Sequence, residues 1–303
     1  MNRNLSNQVS ERANERIKAF ESFLDLNGKR GVDGPLSAGV DLGTAYIVTA
    51  VVDADRNPVA GALTRSRSSV RDGLVFDYMG AVAILRRQVK DLQEGGYPIR
   101  SAVVAYPPGT SGANARAFSN ILEAAGLDVV GMMDEPSAAS RALEITDGAV
   151  VDVGGGTTGI SILEEGEVIY SADEATGGIH VDLVLAGNFK IDSHEAEKLK
   201  CDPTRQSEIS HLVRPVFEKM GSIVSRHLKG FPSVRTIYLV GGTSCFPGIA
   251  QVMQDQTGLG VVQPCNPLLV TPLGIALACF DEQMSSRPIP PPGGKTNQVP
   301  IYG

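Results

Sequence analysis

Aspartate, glycine and threonine residues near the middle of the chain have the types and spacing of a metal–phosphate site. Residues 149–163 read AVVDVGGGTTGISIL, so that an apolar run and Asp152 lead into three glycines and two threonines. The return of apolar alternation after the threonines predicts a β-hairpin with a tight turn. Glycines in such a turn let backbone N–H groups approach an anion that a Cβ would hold away, and Asp152 is placed to hold a hydrated cation.

A weaker copy of the same pattern lies earlier in the chain. Residues 40–44 read VDLGT, which predicts that a strand carrying Asp41 ends in a turn at Gly43 and Thr44 before the next strand, 47–52. Neither copy contains the dinucleotide-binding pattern G-x-G-x-x-G or the P-loop pattern G-x-x-x-x-G-K-[ST]. The repeat therefore predicts two halves of similar fold that face each other across a shared ligand.

Other polar and glycine residues lie where predicted strands end, and each has an ordinary structural explanation. Glu135 follows strand 129–133 and precedes a helix over 137–143, where the helix dipole favours a carboxylate. Gly241 and Gly242 follow a strand and suit a simple turn, and an aspartate such as Asp41 often caps a turn. Glu197 and Lys200 lie three residues apart on a predicted helix, which is the spacing of a surface ion pair.

Taken in order, these segments resemble the motifs of the actin-like ATPase superfamily over roughly residues 38–280. GVDLGT is similar to the first phosphate motif, DVGGGTTGISIL to the second, IYLVGGTSCFPGI to the adenosine motif and PLLVTPLGIAL to a connecting segment. The resemblance implies an α/β fold of two similar ribonuclease-H-like lobes with a nucleotide cleft between them and small upper subdomains. It implies ATP or ADP and Mg²⁺ as cofactors.

The resemblance also implies a role for each candidate residue. Asp41 and Asp152 would hold Mg²⁺ largely through water, and Glu135 would orient or deprotonate the water that attacks the γ-phosphate. The implied phosphate contacts are Gly43, Thr44, Gly154, Gly155, Gly156 and Thr157, and the implied adenosine contacts are Glu197, Lys200, Gly241 and Gly242. The structural explanations given above stay open as alternatives to these roles.

Three further segments closely resemble a narrower family, the ethanolamine-utilisation proteins encoded in bacterial microcompartment operons. They are VRDGLVFDYMGAVAILRRQ, SADEATGG and PPGT. This resemblance implies an ATP-binding, chaperone-like switch whose partner is a protein client, a microcompartment enzyme or a shell component. A nucleotide-dependent scaffold or filament-forming protein stays open as the alternative function, and such a protein could self-associate. A small-molecule kinase is a third function, but the sequence contains no kinase-type signature in the first lobe.

One departure from the DnaK-type heat-shock chaperones, which belong to the actin-like ATPase superfamily, bears on catalysis. They carry a catalytic lysine after the first three strands, whereas the corresponding region here, 66–101, contains only Lys90, on a predicted helix. A missing cation removes charge stabilisation from the transferring phosphoryl group. We therefore expect weak ATPase activity, with slow hydrolysis of ATP to ADP and phosphate.

Composition excludes several other classes of function. The formal net charge is −7 and the basic residues are scattered, which argues against nucleic acid as a partner. No apolar run reaches the length of a membrane span, and no short apolar core of a signal peptide is present near the first residues. The four cysteines lie far apart without a C-x-x-C pair, which disfavours zinc and favours a cytoplasmic location.

The chain divides into four predicted regions. Residues 1–36 form an amphipathic helix and a linker, 37–146 the first lobe, 147–284 the second lobe, whose final helix packs back on the first, and 285–303 a proline-rich disordered tail. The helix has an apolar stripe from Val9 to Leu24. Two interpretations stay open for it: a helix docked on the body of this chain, or a tethered peptide that binds a partner.

Overall fold

The computed structural model describes residues 9–24, 31–32, 34–66, 70–71, 74–108, 110 and 112–280. The predicted disordered tail, 285–303, and part of the predicted linker lie outside these residues. Within the described ranges, no helix has the length and hydropathy needed to cross a membrane.

Strands and helices alternate through most of the described chain. The strands are β1 (Leu36–Leu42), β2 (Tyr46–Asp53), β3 (Pro58–Arg65), β4 (Val70–Arg71), β5 (Leu74–Val75), β6 (Ser101–Tyr106), β7 (Asp128–Asp134), β8 (Gly148–Val153), β9 (Thr158–Glu164), β10 (Glu167–Glu174), β11 (Thr236–Val240) and β12 (Gly260–Val262). The helices are α1 (Glu11–Ser22), α2 (Tyr78–Glu94), α3 (Gly112–Ala125), α4 (Glu135–Leu143), α5 (Gly178–Phe189), α6 (Ser193–Cys201), α7 (Gln206–Leu228), α8 (Ile249–Thr257) and α9 (Val270–Ala278).

Two five-stranded sheets of equivalent topology form the centres of two lobes. The first sheet has the order β3-β2-β1-β6-β7 and the second the order β10-β9-β8-β11-β12. In each, three consecutive strands pair antiparallel through short turns, and two further strands add in parallel after helical crossovers. The predicted α/β fold of two similar lobes is confirmed.

Each lobe has its own apolar core, and a third core joins the two lobes. Helices α4 and α9 supply much of this third core, together with side chains from β2 and β8. The two helices approach so closely that a Cβ at Gly274 of α9 would overlap the carbonyl oxygen of Ala138 in α4. Close backbone contact of this kind makes the junction between the lobes tightly packed.

Helix α1 packs against this inter-lobe core. Its residues Ala13, Ile17 and Phe20 are fully buried, as the amphipathic stripe requires. The side chain of Asn14 accepts a hydrogen bond from the backbone N–H of Cys265, 2.9 Å away, in the second lobe. Of the two interpretations of the N-terminal helix, the structure therefore shows the docked one.

Several element boundaries differ from the sequence-based expectation, and two of these differences matter for the site. Helix α4 begins at Glu135 rather than at 137, because the Asp134 side chain caps it by accepting a hydrogen bond from the Ser137 N–H. Strand β10, which the sequence predicts over 167–171, continues to Glu174, since its pairing with β9 extends as far as Thr158.

Candidate functional site

Acidic side chains from both lobes line one cavity of about 300 Å³ between the two sheets. Asp41 enters it from the end of β1 and Asp152 from the end of β8, the equivalent strand of the second lobe. Glu135 enters from the first residue of α4, and Asp173 from β10. The sequence repeat therefore places its two aspartates in one enclosed space.

Enclosure changes the protonation behaviour of three of these carboxyl groups. Burial, and next the charge of Asp152, raises the pKa of Asp41 to about 7. Burial also raises the pKa of Asp152 to about 6, although a hydrogen bond from the Thr271 hydroxyl, 3.3 Å away, opposes the change. The pKa of Glu135 is raised well above its usual range by burial and then by the neighbouring aspartates. Such a cluster of carboxylates favours binding of a cation.

In the glycine turn after Asp152, hydrogen bonds hold the carbonyl groups of Gly154 and Gly155 on the side that faces the start of α5. The Gly154 carbonyl accepts hydrogen bonds from the Gly178 N–H, at 3.0 Å, and from the Thr243 hydroxyl, at 2.8 Å. The Gly155 carbonyl accepts one from the Ile179 N–H at 2.8 Å. Because C=O and N–H point in opposite directions across a trans peptide, the N–H groups of Gly155 and Gly156 point away from α5. An anion-binding turn requires this orientation.

The aspartate–glycine turns of the two lobes lie close to each other across the cleft. A Cβ at Gly155 would lie 3.0 Å from the Cβ of Ala45, and one at Gly156 would lie 3.2 Å from the Thr44 hydroxyl. The absence of side chains at positions 155 and 156 therefore allows the two turns to approach each other closely.

Gly241 lies beside Asp152 as well as at the end of β11, whereas Gly242 lies against Leu268. Gly241 has φ +91°, and a Cβ there would overlap a carboxylate oxygen of Asp152. Its N–H donates to the carbonyl of Pro267 at 3.1 Å. The positive φ agrees with the turn interpretation, and the absence of a side chain also leaves room for the Asp152 carboxylate.

Glu197 and Lys200 both line the cavity, but each has its own partner. Glu197 pairs with Arg65 of the first lobe at 3.1 Å. Lys200 lies 2.8 Å from one carboxylate oxygen of Asp182 and donates a hydrogen bond to the Gly178 carbonyl at 3.2 Å. The spacing of Glu197 and Lys200 therefore serves two separate contacts, and their roles toward adenosine stay predictions.

All of the candidate residues line this cavity, together with others that sequence reasoning did not assign. The additional polar residues are Tyr46, Asp173, Cys201, Gln206, Thr243, Cys245 and Thr271. Asp173 and Thr271 lie inside the segments SADEATGG and PLLVTPLGIAL, which carried part of the family resemblance. That context was the available signal for them, since an isolated aspartate or threonine has no distinctive pattern.

The lining fits a hydrated magnesium ion with a nucleotide. Five carboxylates line the cavity, and Lys200 is the only lysine or arginine among the described lining residues. A triphosphate would be repelled there without a divalent cation. Among the described residues no three His, Cys, Asp or Glu side chains are grouped as direct metal ligands. Mg²⁺ commonly keeps several waters, so carboxylates that act through water suit it.

The paired lobes, with aspartate–glycine turns that meet between them, define an actin-like ATPase fold. Ethanolamine utilization protein EutJ of Escherichia coli strain K12 is 46% identical to this chain over 246 residues, which is 80% of this chain and 86% of that relative. The crystal structure of EutJ from Carboxydothermus hydrogenoformans superposes with a TM-score of 0.83 at 44% identity, covering 88% of this chain and 98% of that one. The chain belongs to the EutJ family.

More distant similarities concern the fold. A family model described as type IV pilus assembly protein PilM matches residues 121–271. MreB 5 of Spiroplasma citri, in a structure bound to AMPPNP, has a TM-score of 0.67 at 16% identity, covering 82% of this chain and 96% of that one.

Proposed function

We propose that this EutJ-family chain binds ATP or ADP with Mg²⁺ between its lobes and acts as a slowly hydrolysing, chaperone-like switch in ethanolamine utilisation. One observation carries the proposal: the two aspartate–glycine turns, one from each lobe, meet at a single acidic cavity. Further support comes from MreB 5, which has this fold and was solved with AMPPNP bound.

The turns supply the groups that would hold the phosphates. The N–H groups of Gly43, Gly155 and Gly156 would donate to phosphate oxygens, and the hydroxyls of Thr44 and Thr157 would add further hydrogen bonds. Asp41 and Asp152 would hold the waters of Mg²⁺, whose charge offsets that of the phosphates and the carboxylates when it is bound.

Glu135 is the candidate base for hydrolysis. It is the first residue of α4, and it lines the cavity together with both aspartates. Its raised pKa brings the carboxylate closer to the strength needed to accept a proton from an attacking water. Because Lys200 is neutralised by Asp182, the described lining offers little positive charge to the transferring phosphoryl group, and hydrolysis would be slow.

The switch would act through the angle between the lobes. Phosphates that contact turns of both lobes bind the closed arrangement better than an open one, so nucleotide would shift the population toward closure. The proposed partner is a protein client, either an ethanolamine-degrading enzyme or a shell component of a bacterial microcompartment.

Calorimetric titration with Mg-ADP and Mg-ATP tests the binding site. We expect Asp152→Asn to weaken binding by about tenfold or more, because it removes a carboxylate that holds the cation. The matched control is Asp255→Asn, on the exposed surface of α8, which should bind as the wild type does. Equal affinity of Asp152→Asn and wild type would refute the site.

Single-turnover hydrolysis tests the role of Glu135. Glu135→Gln keeps the side-chain size and removes the base, so we expect turnover to fall on the order of 100-fold while nucleotide affinity is retained. If the wild-type protein binds ATP but does not hydrolyse it, the ATPase part of the proposal is contradicted. The protein would then be a nucleotide-sensing binding protein.

A further inference from the structure

An ion pair crosses the cleft between the two lobes at the edge of the nucleotide cavity. Arg65 is the last residue of β3 in the first lobe, and Glu197 lies on α6 in the second. A guanidinium nitrogen of Arg65 lies 3.1 Å from a carboxylate oxygen of Glu197. The two side chains are 33% and 23% exposed, so the pair is open to solvent on one side and can break reversibly.

Each partner is held by its own lobe. Arg65 pairs directly across the strands with Tyr46 of β2, and the guanidinium is also hydrogen-bonded to the Tyr46 hydroxyl. On the other side, Lys200 ties α6 to the start of α5 through Asp182 and the Gly178 carbonyl. Because the two side chains belong to different lobes, moving the lobes apart breaks the pair, which therefore stabilises the arrangement described here over a more open one.

Glu197 also lines the cavity and is a candidate for contact with the ribose hydroxyls. A carboxylate has room for more than one donor, but Arg65 occupies one of its oxygens in this arrangement. Entry or exit of a nucleotide requires the lobes to part and the Arg65–Glu197 pair to break.

We propose that Arg65 and Glu197 form a clasp across the cleft, which slows the release of nucleotide. The inference rests on the proposed function, because it assumes that the cavity holds nucleotide. Partly exposed ion pairs of this kind contribute modestly, so the clasp changes exchange rates by about two- to fivefold rather than abolishing exchange.

A double-mutant cycle without nucleotide tests the clasp itself. Arg65→Met, Glu197→Gln and the double variant are compared with wild type in guanidinium unfolding. We expect the two substitutions to be non-additive, since each removes the same contact. The matched control pairs Arg214→Met with Glu197→Gln, where the residues have no shared partner and the effects should add. Additive effects of Arg65→Met and Glu197→Gln would overturn the clasp.

Stopped-flow kinetics with fluorescent mant-ADP and Mg²⁺ test its consequence. Arg65→Met should raise the dissociation rate constant by about two- to fivefold, and Kd should rise by no more than that factor, because the pair stabilises the arrangement that binds nucleotide better. Arg65→Lys should partly restore the wild-type rates, and Arg214→Met should leave them unchanged. Wild-type rates in Arg65→Met overturn the clasp alone, whereas a wild type that binds no mant-ADP overturns the proposed function instead.

Discussion

At the scale of single residues, the site is defined by carboxyl groups that the fold encloses. Asp41 lies at the end of a strand against Asp152, with burial as the larger effect on its pKa and the neighbouring charge as the second. Enclosing an ionised carboxylate without a bound cation is unfavourable. Asp41 and Asp152 are therefore expected to lower the stability of the ligand-free protein, although the proposed Mg²⁺ site needs both carboxylates.

The pH dependence of Asp41→Asn tests this expectation. In the folded protein the pKa of Asp41 is about 7, against an ordinary value of 3.8, so the stability associated with this group is present below pH 3.8 and is lost as pH rises through 7. Asparagine cannot ionise and avoids this loss, so we expect the variant to be more stable than the ligand-free wild type at pH 8 by roughly 4 kcal/mol. Guanidinium unfolding at pH 8, 6.5 and 5 should show the difference shrink with falling pH.

The control for this comparison is Asp55→Asn in the exposed β2–β3 turn, which should change stability little at any of the three pH values. An advantage of Asp41→Asn that stays the same from pH 8 to pH 5 would contradict the account of a buried, ionisable carboxyl group.

The candidate residues that could be identified from the sequence are those followed by glycine or proline. Asp41 and Asp152 are recognisable because glycines follow them, and Glu135 because proline follows it. Arg65 and Asp173 have no distinctive neighbour in the sequence, since an arginine or aspartate on a strand is typical of a solvent-exposed face. The position of Asp173 in the cavity and of Arg65 at its edge depends on how β10 and β3 lie in the assembled lobes.

At the scale of elements, helix α4 connects the site with the junction of the lobes. Its first residue is Glu135, and further along Ala138 lies against Gly274 of α9. The position of the Glu135 carboxylate therefore depends on the packing of these two helices.

Gly274→Ala should disrupt that packing. A methyl group there would overlap the Ala138 carbonyl oxygen, and the backbone of one helix must shift, so we expect a loss of about 3 kcal/mol in the free energy of unfolding. The matched control is Gly187→Ala in α5, where a Cβ meets nothing within 4 Å. It should stabilise by about 0.5–1 kcal/mol through helix propensity. Similar effects of the two substitutions in chemical denaturation would contradict the described helix contact.

The existence and order of elements could be predicted better than their ends. Hairpins around Asp41 and Asp152 follow from apolar alternation interrupted by glycine. The start of α4 could not be predicted closely, because Asp134 and Ser137 are both plausible caps and only the hydrogen bond between them decides. The end of β10 likewise depends on its partner strand rather than on its own sequence.

At the scale of the whole molecule, α1 covers part of the core that joins the lobes. Phe20 is fully buried there, against the strand that contains Gly61, whereas Phe23 of the same helix end is 37% exposed. The helix therefore contributes to the stability of the junction on which lobe closure depends.

Phe20→Ala and Phe23→Ala form a matched pair for this contribution. We expect Phe20→Ala to reduce the free energy of unfolding by about 3–5 kcal/mol, because it leaves a cavity in the core. Phe23→Ala should cost less than about 1 kcal/mol. Equal small losses in thermal or chemical unfolding would show instead that α1 is a tethered helix that leaves the body easily.

The relative placement of the lobes was the part least accessible from sequence. The repeat predicts two similar halves that share a ligand, but it does not specify which surfaces touch. The contact of Ala45 with the turn at Gly155 and the Arg65–Glu197 pair both join residues far apart in the chain. No local pattern encodes such contacts, because they arise from the rigid-body arrangement of complete lobes.

The dependence of ADP binding on Mg²⁺ tests the central claim most directly. Five carboxylates line the cavity, so ADP should bind in millimolar Mg²⁺ and lose at least about 100-fold in affinity when EDTA replaces the metal. Calorimetry at one pH, with the same chain in both buffers, measures both affinities. Equal affinity in EDTA, or no binding in either buffer, would contradict a Mg²⁺–nucleotide site between the lobes.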